Sequence, residues 1–294
     1  MAQTLRKKRS IGSIIFTTVN TTLLALLALV CLLPFVNVIA SSFASTQEMV
    51  AKKFILFPTT FSLDAYKYIF STPTIFKGLG VSIGVTIAGT ILSMALTSLM
   101  AYGLSRKYLL GRNTINFIVV FSMLFSGGMI PTFLVVKSLH LIDTYASMII
   151  PVAINAFNLI IMRNFFQALP ESLEESAKID GCTDFGVFFK IMLPLALPSI
   201  ATISLFYGVA YWNTYMNAIL YINDSLKWPI QVLLRQIVIV SSGMQGDSGS
   251  VDIIPPAQTI KMAVIVIATV PMLIAYPFVQ RHFVKGALLG SVKG

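Results

Sequence analysis

The stretch Pro170-Glu171-Ser172-Leu173-Glu174-Glu175-Ser176-Ala177-Lys178-Ile179-Asp180-Gly181, continuing to Phe188-Phe189-Lys190-Ile191-Met192-Leu193-Pro194, is a polar island between two long apolar blocks. It reads as helix, break, helix. Pro170 suits an early helix position, where its missing N–H has no partner to lose. Glu171, Glu174 and Glu175 then fall in the first turns, where the helix dipole favours negative charge. Gly181 suits the left-handed residue that closes a helix, and Thr183 or Asp184 suits the cap of the next one. Phe185, Phe188, Phe189 and Met192 follow at i, i+3, i+4 and i+7, an apolar stripe on one helical face. The stripe is expected to pack on the ends of neighbouring helices while the first helix projects away, and Pro194 to stop the second. A helix pair lying on the membrane surface would explain the stripe. It would not explain acidic helix, Gly break and Pro stop together.

The rest of the chain decides where the island sits. Of 294 residues, 56% are hydrophobic and 11% charged, against about 25% charged in soluble domains. Such a chain cannot cover a soluble surface, so an all-α polytopic membrane protein is expected. The formal charge of +10 is spread over short loops with no aromatic–basic interleaving, which excludes a nucleic-acid partner. Cys31 and Cys182 form no metal or redox spacing, and no metal site is expected. The apolar run from about residue 16 to 40 exceeds the roughly 7–15 residues of a signal-peptide core, so it reads as a first transmembrane helix.

Six spans of about 18 residues or more are expected, near 15–40, 78–104, 114–136, 145–162, 195–221 and 254–280, in one domain over 1–294 with the island at about 167–194. Gly78, Gly80, Gly84 and Gly89 in the second would allow close helix approach. Thirteen Lys and Arg fall on the island's side, including Arg6, Lys7, Lys8 and Arg9, against seven on the other. The excess places both termini and the island in the cytoplasm.

Polar side chains inside spans are functional candidates, because leaving them unpaired in lipid is costly. Asn155 and Asn158 are three apart in the fourth span. Asn213 and Asn217 are four apart in the fifth, beside Tyr211, Trp212 and Tyr215. Amides among aromatic rings suit a sugar pathway. Hydrogen bonding between helices, or an aromatic belt, is the alternative. There is no Walker A sequence, so ATP has no P-loop here. All 11 acids fall in loops, which argues against a proton-coupled carrier, and no hydrolase constellation assembles.

The island resembles the EAA loop of bacterial ABC importer permeases, whose pattern is Glu-Ala-Ala, three residues, Gly, nine residues, Ile-x-Leu-Pro. Glu175, Ala177, Gly181, Ile191, Leu193 and Pro194 match, and Ser176 replaces the first Ala. Ala101-Tyr102-Gly103-Leu104-Ser105-Arg106, Trp212-Asn213 and Gly290-Ser291-Val292-Lys293-Gly294 are similar to motifs of maltose-type sugar permeases. Ser126-Gly127-Gly128-Met129-Ile130-Pro131-Thr132 is similar to an LplC-like subgroup linked to complex, including pectin-derived, oligosaccharides. Val81-Ser82 departs from the Asn-Ser often found there.

The resemblance implies the second permease subunit of a type I importer in the bacterial cytoplasmic membrane. Its partners would be a homologous permease, two ATP-binding subunits, an extracellular solute-binding protein and an oligosaccharide. ATP and Mg would sit on the ATPase, with no cofactor on this chain. Glu174, Glu175, Ser176, Ala177, Asp180 and Gly181 would couple to the ATPase. Ser291, Lys293 and Gly294 would reach it as a flexible tail, unless the tail is a frayed end. The partner permease can carry more of the sugar contacts. A non-sugar solute, or a six-span scaffold without transport, is the alternative function.

Overall fold

The computed structural model describes residues 11–52, 54–241 and 258–291. These form helices and no strand; one isolated antiparallel bridge joins Ala44 and Phe61. In order the helices are α1 (Ile11–Ser42), α2 (Thr46–Ala51), α3 (Asp64–Ser71), α4 (Pro73–Ser105), α5 (Arg112–Leu124), α6 (Met129–Ser138), α7 (Ala146–Ile149) and α8 (Ala156–Ala168). Then come α9 (Glu171–Ile179), α10 (Asp184–Val187), a π-helical turn at Phe188–Met192, α11 (Leu193–Leu195), α12 (Leu197–Trp212), α13 (Met216–Tyr221), α14 (Ile230–Ser241) and α15 (Gln258–Ser291). The basic run Arg6–Arg9 lies outside the described residues.

Among the described residues, α1, α4 and the Gln258–Ala275 part of α15 are each long and apolar enough to cross a membrane. Two further stretches qualify only as bent pairs, Ala146–Val152 with α8 at 54°, and Asp184–Leu195 with α12 at 81°. Three expected straight spans are therefore interrupted. Residues 114–136 divide into α5 and α6 around Phe125–Gly128, with Gly128 at φ +85°. Residues 145–162 break after Pro151, which lacks an N–H and disrupts the helical ladder, and α8 restarts from an Asn155 cap. Residues 195–221 break at Asn213–Tyr215, where α12 ends and α13 begins. Hydrophobicity alone does not report these breaks, because their residues are apolar or small and uncharged, with a few hydroxyls and single amides among them.

Packing divides the chain into two units, Met1–Ile69 with Val240–Val266, and Phe70–Ile239 with Ile267–Gly294. In the first, the end of α1 is tied to the loop after it. Asn37 Oδ1 accepts from Ile55 N at 2.8 Å, and Ser42 Oγ meets Tyr66 OH at 2.8 Å. Phe43 stacks between Phe61 and Tyr66. Glu48 is buried and accepts from the backbone N–H groups of Thr59 and Thr60 and from Lys52 Nζ. Its carboxyl is held well below its usual range, first by the Thr59 hydroxyl.

The second unit is organised on α4, which lies between α8 and α12. Its buried face reads Gly78, Ser82, Val85, Gly89, Ser93, Thr97 and Ala101, small residues at helical spacing. Three of its hydroxyls are paired with neighbouring elements. Ser93 Oγ meets Tyr211 OH at 2.7 Å, Thr97 Oγ1 meets Tyr207 OH at 2.7 Å, and Ser82 Oγ accepts from Ile230 N at 2.9 Å. Ser82 belongs to the Val-Ser pair that departs from the family pattern.

Not all four glycines of this helix serve its packing. A Cβ on Gly89 would meet the Tyr211 ring at 2.8 Å, and one on Gly78 would meet Leu233 Cδ1 at 2.6 Å, whereas Gly80 and Gly84 face open space. The Tyr211 ring is pinned by its hydroxyl and cannot swing aside without losing Ser93. Overpacking of this kind costs about 1–3 kcal/mol. Gly89→Ala is therefore expected to destabilise the purified chain in detergent by about that amount, with Gly80→Ala neutral. Equal unfolding midpoints for the two variants would show that the α4–α12 contact yields freely.

Candidate functional site

The island begins when α8 ends at Ala168. Pro170 caps α9, one residue earlier than a position inside the helix. Asp180 follows α9, and Gly181 adopts φ +81° with its N–H donating to Lys178 O at 3.0 Å. Thr183 caps α10 by accepting from Gly186 N at 3.2 Å. The helix, break and helix of the sequence reading are all present.

Two expectations fail here. Pro194 is no stop, since the helix runs on to Leu195 and turns at Ala196, ahead of Pro198. Nor does the aromatic stripe bury as a unit. Phe188 and Met192 are buried while Phe185 and Phe189 are exposed. The π-helical turn at Phe188–Met192 uses i→i+5 bonds, which change the angular spacing that a 3.6-residue period assumes. Val187, absent from the expected stripe, is buried instead.

The first helix does not project free on all sides. Glu174 and Ala177 are buried, while Glu175, Ser176, Asp180 and Gly181 are exposed. Glu174 turns onto the end of α4. Its Oε2 accepts a short hydrogen bond from the buried Arg106 guanidinium, and its Oε1 accepts from Tyr108 OH at 3.2 Å and pairs with Lys178 Nζ at 2.9 Å. Lys178 also reaches Asp184 at 3.0 Å. These bonds, to Glu174 first and then Asp184, push the Lys178 ammonium pKa upward. Lys107 pairs with Glu171 at 2.7 Å and lowers its pKa. Arg106 lies over the Tyr102 ring at 4.6 Å, and Tyr102, Phe166 and Phe188 pack together beneath the charges. One side of α9 is thus bound to α4, and the other carries Glu175 and Ser176 with Ile179, 86% exposed.

Most of the expected pathway residues meet around one cavity of about 580 Å³. Asn155, Asn158, Tyr211, Asn213, Tyr215 and Asn217 line it, with Tyr207. Helix breaks, not helix faces, bring them together. Asn155 Oδ1 caps α8 by accepting from Asn158 N at 3.1 Å, and Asn155 N donates to Tyr207 OH at 3.0 Å. Asn213 Nδ2 donates to Val209 O at 2.9 Å at the end of α12. Trp212 is the exception. It is buried away from the cavity, its indole N–H donating to Ala268 O at 3.1 Å.

Reading the amides and the aromatics beside Asn213 missed Ser93, Thr97 and Tyr207. Their signal was available as hydroxyls recurring at helical spacing within an apolar helix. The tail candidates Lys293 and Gly294 lie outside the described residues. Ser291 ends α15, so the helix continues through Gly290 rather than giving way to a flexible strand there.

An apolar chain of broken and continuous helices, carrying a polar helix pair at one loop and an amide-lined cavity, defines a membrane permease. Residues 1–288 match the family described as binding-protein-dependent transport system inner membrane component, and the chain belongs to it. It is 71% identical, over 92% of its length and 96% of the relative's, to the polygalacturonan/rhamnogalacturonan transport system permease protein YtcP of Bacillus subtilis. It is 55% identical to protein LplC of the same organism, covering 95% of each. In structure it matches a chain of a bacterial ABC transporter involved in the import of the acidic polysaccharide alginate, with a TM-score of 0.85, 31% identity, and 94% and 99% of the two chains covered.

The family read from the sequence motifs therefore holds. The chain is a multi-pass permease component of a cytoplasmic-membrane ABC importer, not an enzyme, and belongs to an assembly with a partner permease, an ATPase and a binding protein. A scaffold without transport is excluded.

Removing one member of a buried ion pair costs about 3–5 kcal/mol, because the other charge is left without its partner. Arg106→Ala and Glu174→Ala are each expected to loosen α9, seen as faster proteolysis of the 170–183 stretch. The double variant is expected to be less damaged than the sum of the two. Strict additivity would mean that the pair contributes nothing to holding α9.

Proposed function

We propose that this chain is one half of the translocation pathway of an oligosaccharide importer, coupled through α9 to a separate ATPase that holds ATP and Mg. The carrying observation is the two-sided character of α9, with Glu174 bonded to Arg106 at the end of α4 and Ala177 buried, and with Glu175, Ser176 and Ile179 left exposed. Ile179, between Lys178 and Asp180 and one turn after Glu175, gives that side a mixed apolar and charged surface that a protein groove can receive. Binding of α4 on the opposite side gives motion at that groove a path into the spans.

Six crossings with both termini cytoplasmic fit the Lys and Arg asymmetry and put α9 on the ATPase side. The partners would be a homologous permease, two ATP-binding subunits and an external binding protein. The polygalacturonan and rhamnogalacturonan in the name of the 71% identical relative, and a cavity of amides and tyrosines that suits sugar hydroxyls and ring faces, support an oligosaccharide.

The test is uptake by the assembled importer in vesicles, with labelled oligogalacturonate and loaded binding protein. Wild type should accumulate sugar with ATP. Gly181→Pro should lower sugar moved per ATP hydrolysed by roughly tenfold or more, because Pro cannot take φ +81° and lacks the N–H that Gly181 donates. An unchanged ratio would refute coupling through this break, and failure of wild-type uptake would refute the substrate class.

A further inference from the structure

Arg235 stands near the middle of α14 in Val232-Leu233-Leu234-Arg235-Gln236-Ile237. That helix lies between the expected spans 195–221 and 254–280, so its guanidinium stands on the side of the membrane away from α9. Among the described residues no carboxylate lies within ion-pair distance of it. Its contact is aromatic, the guanidinium carbon lying 4.3 Å from the centroid of the Tyr215 ring. Tyr215 is a wall of the 580 Å³ cavity, whose lining holds no charged side chain. Among the described residues this exposed guanidinium is the one cation stacked on the cavity wall, and it has no anion there.

We propose that Arg235, seated on Tyr215 beside the cavity, is the residue of the pathway that reads the carboxylates of an acidic oligosaccharide. Stacking occupies the flat face of the guanidinium and leaves its edge N–H donors free, and that edge matches a carboxylate in bidentate fashion. Asn213 and Asn217, which line the same cavity, supply donors and acceptors for hydroxyls, and Tyr215 supplies a ring face. A neutral sugar would leave the cation without an anion; a uronate would pair with it. Cation–π seating restricts the side chain before substrate arrives, so less freedom is lost on binding.

This inference rests on the oligosaccharide reading above, and the test separates the two. The complete importer without binding protein, held in nanodiscs at neutral pH, is titrated with trigalacturonate and with its fully methyl-esterified, uncharged form. Wild type should bind the acid at least about tenfold more tightly than the ester. Arg235→Gln should bring the two affinities within about twofold, and Arg235→Lys should keep part of the preference as a point charge without the fork. Equal wild-type affinities would overturn the role of Arg235, as expected if an acid of the partner permease neutralises it, and would leave the oligosaccharide reading standing. A preference that survives in Arg235→Gln would also overturn it. Binding of neither ligand would overturn both.

Discussion

Two hydroxyl pairs hold the centre of the second unit, Ser93 with Tyr211 and Thr97 with Tyr207. Each joins α4 to α12 across a face where Gly89 lets the Tyr211 ring lie against the backbone. The same two phenols extend to a third element, since Tyr207 accepts from Asn155 N ahead of α8 and Tyr211 reaches Ile149 O at 3.4 Å. In an apolar medium such bonds contribute about 0.6–2 kcal/mol each, and a polar group left without one is penalised. They fix which faces meet, and so where the helix breaks at Asn155 and Asn213 open a cavity.

The other end of α4 carries a different chemistry. There Arg106, Tyr108, Glu174, Lys178 and Asp184 form a charge network over the Tyr102, Phe166 and Phe188 rings. Cavity wall and α9 are therefore both bound to one continuous helix. A rigid helix passes displacement along its length without needing a chain of side-chain rearrangements. On the proposed reading, this is how motion at an ATPase would reach the sugar.

Much of this was legible in the sequence, for identifiable reasons. Gly181, Thr183 and the acidic first turn of α9 are local signals whose meaning depends on neighbouring residues only, and each stands where it was read. The six cavity residues were legible as polar side chains in apolar surroundings, although the reason they converge is the pair of helix breaks. Trp212 misled because an aromatic beside an Asn reads as a sugar platform, while its indole N–H is satisfied by Ala268 O in α15. Phe185 and Phe189 misled because a π-helical turn alters the period. Glu174 read as an exposed coupling acid, and its inward turn depends on Arg106, 68 residues away in sequence, a distance no local pattern spans.

The central claim is that α9 and α4 move as one body because Arg106 and Glu174 bind them together. Spin labels at Ser176→Cys and Leu99→Cys, with Cys31 and Cys182 replaced by serine, report the distance between the two helices in the assembled importer. The account predicts the same narrow distance distribution with and without bound nucleotide, broadened by Arg106→Ala. A wild-type distance that shifts when nucleotide binds would contradict it, because α9 would then be sliding on α4 rather than carrying it.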